Sequence, residues 1–228
     1  MAIQQTPQAD DFKREVRDVL QRETLNDCAI NIRRHANVYA SGDQNDSIYF
    51  IDSGQVKLLM HSSEGKECLL AIHSDGDIFG ELSLSGIGTR SETATAMKTT
   101  ILKQVLCAQF FTLLSRASLF EGFVRYLAVR VADQQQVIAN LVTVDSEQRL
   151  GQTLLQLART MGKERPKNSS SIELKISREE LSEMVGTTRP RISLFMQRFH
   201  HLGLIERNKD HFLIIKEKKL TEYLAQIS

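Results

Sequence analysis

Between about Ile30 and Leu106 the chain alternates short apolar or alternating runs with tight polar clusters. The runs are VYA, IYFI, VKLLM, CLLAI and ILKQVL, and the clusters are SGDQNDS, DSG, SSEGKE, HSDGD and SGIGT. Many short strands with Gly/Asp/Ser turns at close spacing predict an all-β sandwich or barrel. Ahead of it, Asp10 to Gln21 puts Phe12, Val16, Val19 and Leu20 on one side of a short amphipathic helix.

After Leu106 the period becomes helical. In the stretch Ser118 to Val144, residues Phe120, Val124, Leu127, Val131, Gln134, Ile138 and Leu141 are spaced alternately by four and three, a heptad seam that is apolar except at Gln134. A helix of about 27 residues spans roughly 40 Å, more than one small β-domain buries. The seam therefore predicts pairing with a second copy in a two-fold dimer, with a core helix inside one chain as the alternative. Asp145 to Glu147 breaks the run, and a further helix, about Gln148 to Met161, presents Leu150, Leu154, Leu155 and Leu157. The expected division is a β-rich part over 1–117, the dimerisation helix and hinge over 118–145, and a C-terminal domain over 146–228, an α+β chain.

The C-terminal part contains ISREELSEMVGTTRPRISLFMQRFHHLGLIE. Ser177 with Glu180 three residues on forms a capping box. Leu181, Met184 and Val185 give one apolar face, Gly186 allows a sharp turn, and Pro190 fits only in the first turn of a second helix capped by Thr187 or Thr188. Ile192, Phe195, Met196 and Phe199 then face inward. This is a helix-turn-helix pattern, and HLGLIERNKDHFLIIK reads as a wing hairpin. The N-terminal end of such a recognition helix meets base edges in the major groove. Arg189, Pro190, Arg191, Ser193 and Gln197 are the candidate readers there, and Ser177, Arg178 and Thr188 stand at helix starts where phosphates are met. A solvated helical hairpin is the alternative.

Charge supports a polyanionic partner. The net charge of +1 divides into −4 over Met1–Asp145 and +5 over Ser146–Ser228. No run of apolar residues is long enough to cross a membrane, and MAIQQTPQADDFKREV has no signal-peptide core, so a cytoplasmic location is expected. Cys28, Cys68 and Cys107 form no pair or metal-ligand cluster and read as buried thiols. No GxSxG, HExxH or GxxxxGK[ST] occurs, so no enzyme and no metal or redox cofactor are expected.

The segment FGELSLSGIGTRSETATA, Phe79 to Ala96, sets one carboxylate and one arginine around a loop of small residues. Arg90 and Ser91 can hold a phosphate through charge-assisted bonds, Glu81 can accept from a ribose hydroxyl, and Gly80 lets backbone come close. The competing reading is a Glu81–Arg90 ion pair closing a β-turn.

With these motifs in order, the chain resembles the cyclic-AMP receptor protein/FNR superfamily of bacterial transcription regulators over nearly its whole length. IYFIDSGQVKLLMHSSEGKECLLAIHSDGDIFGELSL is similar to that family's β-roll, FGEL with RSETATA to its phosphate-binding cassette, and DSEQRLGQTLLQLA to the hinge and the helix after it. The resemblance implies a jelly-roll-like cyclic-nucleotide-binding β-roll, a long dimerisation helix and a winged helix-turn-helix. It implies that Gly80, Glu81, Leu82, Arg90 and Ser91 hold a cyclic nucleotide as allosteric effector, cyclic AMP first, and that Arg90→Ala abolishes the ligand response without unfolding the domain. It implies a homodimer on a near-palindromic DNA operator, with RNA polymerase as a further partner. The adjacent Thr and Ser that meet the purine in cyclic-AMP-sensing members correspond here to Gln134 and Gln135, which leaves cyclic GMP, haem (with His61 or His73), another small molecule or no effector as alternatives. The family's glutamate and second base-reading arginine correspond to Pro190 and Leu194, so the operator is expected to differ from the usual family site. The N-terminal cysteine cluster of the FNR branch is absent.

Overall fold

The computed structural model describes residues 7–22, 29–65, 67–165, 169–172, 176–208 and 212–227. The chain forms two compact units, Met1–Gln135 and Gln136–Ser228. Among the described residues no helix is long and apolar enough to cross a membrane.

The first unit opens with α1 (Pro7–Arg22) and continues through β1 (Ala29–Ile32), β2 (Asn37–Tyr39), β3 (Ser47–Ser53), β4 (Gln55–His61), β5 (Glu67–Ser74) and β6 (Ile78–Phe79). A 3-10 turn (Glu81–Ser85), β7 (Thr93–Ala96), β8 (Thr100–Leu106) and α2 (Cys107–Arg116) follow, and α3 (Phe120–Thr143) begins here and runs on into the second unit. The strands make two antiparallel four-stranded sheets, ordered β1-β8-β3-β6 and β2-β7-β4-β5. β3 pairs β8 with Tyr49 opposite Gln104, and β4 pairs β5 with Leu58 opposite Ala71.

Tyr39, Tyr49, Ile51, Val56, Leu58, Phe79 and Leu102 make the core of the roll. A second core joins α1, α2 and α3 to it: Phe12, Val16 and Leu20 pack with Phe110, Phe123 and Tyr126. The rings of Phe12 lie 5.8 Å from Phe123 and 5.5 Å from Tyr126. The same helix is pinned by Lys13 Nζ, 2.7 Å from Asp77 Oδ1.

On α3 the inward residues are Phe123 and Tyr126, while Phe120, Val124, Val131, Ile138 and Leu141 of the heptad seam are exposed on the single chain, Ile138 at 62%. Such a stripe is costly to leave in water and is what two paired helices bury.

The second unit holds α4 (Ser146–Met161), β9 (Gly162–Arg165), β10 (Ser169–Ile172), α5 (Arg178–Val185), α6 (Arg189–His201), β11 (Ile205–Arg207), β12 (Leu213–Ile215) and α7 (Glu217–Gln226). Asp145 starts α4: its Oδ1 accepts from the N–H groups of Glu147 and Gln148 at 2.7 and 3.0 Å, satisfying donors that a helix start leaves open. Leu150, Leu154, Leu181, Ile192, Phe199 and Leu220 fill the core. The wing strands pair antiparallel, Ile205 opposite Ile215; the tip of the expected hairpin, residues 209–211, lies outside the described residues, as do Cys28 and residues 166–168 between β9 and β10. Of the cysteines read as buried thiols, Cys107 is buried and Cys68 is exposed, because CLLAI alternates and Cys68 falls on the outward side of β5.

Candidate functional site

The Phe79–Ala96 segment folds as a turn between the two sheets. Gly80 adopts φ 85° and caps the 3-10 turn that carries Glu81 and Leu82. A side chain at Gly80 would press on Arg90 Nη1 and the Ser47 carbonyl at 3.1 Å and on the Tyr49 ring at 3.2 Å, so this is a true close approach of backbone to the arginine.

Arg90 is 3% exposed. Its Nη1 donates to the Gly80 carbonyl at 2.7 Å, and its Nη2 donates to Asn45 Oδ1 at 2.9 Å and to the Ser47 carbonyl. The guanidinium lies 4.1 Å from the centre of the Tyr39 ring, a stacked cation–π contact. Arg90 therefore supports the cassette from inside. This changes the expectation for Arg90→Ala, which removes three hydrogen bonds of the roll besides the expected phosphate contact.

The expected Glu81–Arg90 ion pair is not what forms. Glu81 Oε1 lies 2.8 Å from Arg130 Nη2, on α3, and Arg130 Nη1 donates to Tyr126 Oη at 3.1 Å, which in turn donates to the Ile78 carbonyl at 3.2 Å. Burial works against the charge of Arg130, but the Tyr126 oxygen and the Glu81 carboxylate hold it firmly cationic. Burial likewise pushes the Tyr126 phenol well up, keeping it a neutral donor. The reason is reach: Arg90 is already committed to carbonyls of β3 and the turn, and Arg130 comes to Glu81 from the helix.

Among the described residues, two polar atoms of this cassette remain open. Glu81 Oε2 and Arg90 Nε are buried with no hydrogen-bond partner. One is an acceptor and the other a charged donor, and buried polar groups are rarely left so. Ser91 Oγ donates to Glu92 Oε2 at 2.6 Å. Gln134 and Gln135 are exposed on α3, Gln134 one helical turn beyond Arg130. The structure thus brings Gly80, Glu81 and Arg90 together, with Leu82 half exposed beside them. Sequence reasoning missed Arg130, Asn45, Tyr39 and Glu92. Arg130 carried a signal, being a charge one helical turn before Gln134 on α3.

In the second unit Ser177 Oγ accepts from the Glu180 N–H at 3.1 Å while Glu180 Oε2 accepts from the Ser177 N–H at 3.0 Å, a complete capping box. Gly186 ends α5 at φ 67°, the left-handed conformation a tight turn needs. Thr188 is the cap residue of α6 without a side-chain cap bond, and Pro190 sits in its first turn. Ile192, Phe195, Met196 and Phe199 are buried. Arg178, Arg189, Pro190, Arg191 and Gln197 are exposed, and Ser193 is half-buried. An open cavity of about 500 Å³ beside α6 adds His200, His201, Glu206 and Arg207, which the sequence reading passed over, to Arg178 and Gln197. Behind the helix, Glu147 accepts from Arg198 Nη1 at 2.6 Å and from Tyr223 Oη at 2.7 Å, tying α4, α6 and α7 into one body.

Residues 29–117 match the model of the cyclic nucleotide-binding domain and residues 148–223 that of the Crp-like helix-turn-helix domain. A CRP-like cAMP-activated global transcriptional regulator of Mycobacterium tuberculosis is 29% identical over 192 residues, 84% of this chain and 85% of that one. The cAMP-activated global transcriptional regulator CRP of Escherichia coli O157:H7 is 27% identical over 168 residues, covering 72% and 78%. Among solved structures, a CooA mutant from Carboxydothermus hydrogenoformans superposes with TM-score 0.70 at 26% identity, over 86% of this chain and 87% of that one. With a β-roll built around this cassette and a helix-turn-helix later in the sequence, the chain belongs to the CRP/FNR family of transcription regulators.

Proposed function

We propose that this regulator is a homodimer, paired through residues 118–145, whose binding to a near-palindromic DNA site is controlled by a cyclic nucleotide in the β-roll, cyclic AMP first. The observation that carries the reading is the pair of open buried atoms, Arg90 Nε and Glu81 Oε2. A cyclic phosphate supplies an anionic acceptor for the first, and a ribose 2′-hydroxyl supplies a donor for the second. The similarity to cAMP-activated relatives supports the same ligand class.

In this reading Gly80, Glu81, Leu82, Arg90 and Ser91 face the phosphoribose, and Gln134 or Gln135 meets the base. A carboxamide offers both an N–H donor group and a carbonyl acceptor, which match either purine edge. Glu81 is bonded to Arg130 of α3, so a ligand that engages Glu81 acts on the helix that carries the seam. It shifts the regulator only through contacts that differ between the two states. Arg178, Arg189, Arg191, Ser193 and Gln197, with Ser177, Thr188 and Pro190 at the helix starts, form the DNA face; Arg189 and Arg191 are the guanine readers. RNA polymerase is the further partner.

The test is calorimetric titration of the purified protein with cyclic AMP and cyclic GMP, beside Arg90→Lys, which keeps the charge but not the planar fork. Binding of one nucleotide by the wild type, weakened about 10- to 100-fold in Arg90→Lys, is the expected result. Equal affinity in the two proteins, or no binding of either nucleotide, overturns the reading.

A further inference from the structure

Beside Arg90 and Ser91 lies a carboxylate that the proposed function leaves unused. Glu92 is 1% exposed. Its Oε2 accepts from Ser91 Oγ at 2.6 Å and its Oε1 from Tyr39 Oη at 2.9 Å. The Tyr39 ring is the one that carries the Arg90 guanidinium. Burial first, and then the Glu92 charge, push the Tyr39 phenol far up, so that it stays an O–H donor to the carboxylate. Among the described residues no lysine or arginine forms an ion pair with Glu92.

A carboxylate oxygen accepts from a hydroxyl as a phosphate oxygen does. Here it already holds the hydroxyl that the cassette would offer to a phosphate. It also fixes a second negative charge next to the place that an anionic ligand would occupy, in surroundings where like charges repel more strongly than in water.

We infer that Glu92 is a specificity-determining residue of the cassette, an internal acceptor that occupies Ser91 and selects against negative charge in the ligand. The inference rests on the cyclic-nucleotide reading and refines it. A cyclic nucleotide must draw Ser91 away from Glu92 or bind without it, and in either case it sits beside an anion. Affinity is therefore held below what Arg90 alone would give. Glu92→Gln reverses this without changing the shape: the side-chain carbonyl still accepts from Tyr39, while the amide donates to Ser91 Oγ. The serine hydroxyl hydrogen is then free for the ligand.

The experiment is titration of the full chain with cyclic AMP and, in parallel, with a neutral alkyl ester of cyclic AMP in which one phosphate oxygen is capped. Glu92→Gln is expected to tighten cyclic AMP about tenfold or more and to leave the neutral ester within about twofold. Glu92→Ala is expected to show the same charge-selective gain, which covers the case in which one variant folds poorly; thermal melts report that. An unchanged cyclic-AMP affinity in both variants overturns the inference, and so does an equal gain for both ligands, which marks mere loosening of the turn. If the wild type binds cyclic AMP as tightly as the variants and Arg90→Lys weakens it, the inference fails and the cyclic-nucleotide reading stands. If no variant binds either ligand, both fail.

Discussion

Arg90 is bonded to the Gly80 and Ser47 carbonyls and to Asn45, so its removal acts on folding as well as binding. Arg90→Ala is expected to lose nucleotide binding and also to lower the stability of the first unit by about 2–4 kcal/mol, because two buried carbonyls and the part-buried Asn45 amide lose a charged donor at once. Chemical denaturation read beside calorimetry separates the two effects; a variant with native stability would contradict the inward role. On the DNA side the residues divide differently. Arg189→Ala is expected to cost about 1–3 kcal/mol and relax preference at one base position, while Arg178→Ala, at a helix start, weakens all sequences alike and lowers the salt slope by about one. Binding isotherms on matched and mismatched sites at several salt concentrations distinguish them.

At the scale of elements, α1 is fastened to the roll by packing and by the Lys13–Asp77 ion pair. Phe12 is buried between Phe123 and Tyr126, and Phe12→Ala is expected to cost about 3–5 kcal/mol. Asp77 accepts from the Ser74 N–H and from Lys13. Burial opposes its charge, yet the His73 ring, 3.8 Å away, and the Lys13 ammonium hold its carboxyl far below the usual carboxylate range. A depressed folded value means a contribution that is complete above the unfolded pKa of about 3.9 and is lost as the pH falls through the lower folded value. Asp77→Asn is therefore expected to be clearly less stable than wild type at pH 7, with the gap closing as the pH is lowered below about 4; a gap that stays constant through that range would refute it.

This level also shows what could be read from the chain alone. The runs IYFI, VKLLM, CLLAI and ILKQVL became β3, β4, β5 and β8, because alternation bounded by turn residues states a strand locally. The helical run of α3 and the helix-turn-helix were legible for the same reason: their periods and caps are local, although Leu127 of the expected seam packs against the protomer's own core. β6 and β7 were not, since IF and TATA are too short and too small to carry a pattern and form only against partners distant in sequence. The site was legible in part. Gly80, Glu81 and Arg90 announce a turn with charges, but the partners Arg130, Asn45 and Tyr39 come from other elements. Nothing in local spacing says that Glu81 meets the helix rather than Arg90, or that Ser91 turns to Glu92.

For the whole molecule, the exposed stripe Phe120, Val124, Val131, Ile138 and Leu141 is the seam of the proposed dimer, on the helix that also reaches the cassette through Arg130. Ile138→Glu puts a charge in that seam and is expected to yield monomer in sedimentation equilibrium and to abolish specific DNA binding, while leaving the fold of each unit intact by circular dichroism. The measurement that tests the account most directly is selection from a random double-stranded DNA pool, run with and without cyclic AMP. Enrichment of a near-palindromic sequence with half-sites about one helical turn apart, some 34 Å, is expected only when the nucleotide is present. Enrichment of the same sequence without nucleotide, or of sites with no two-fold symmetry, would contradict it.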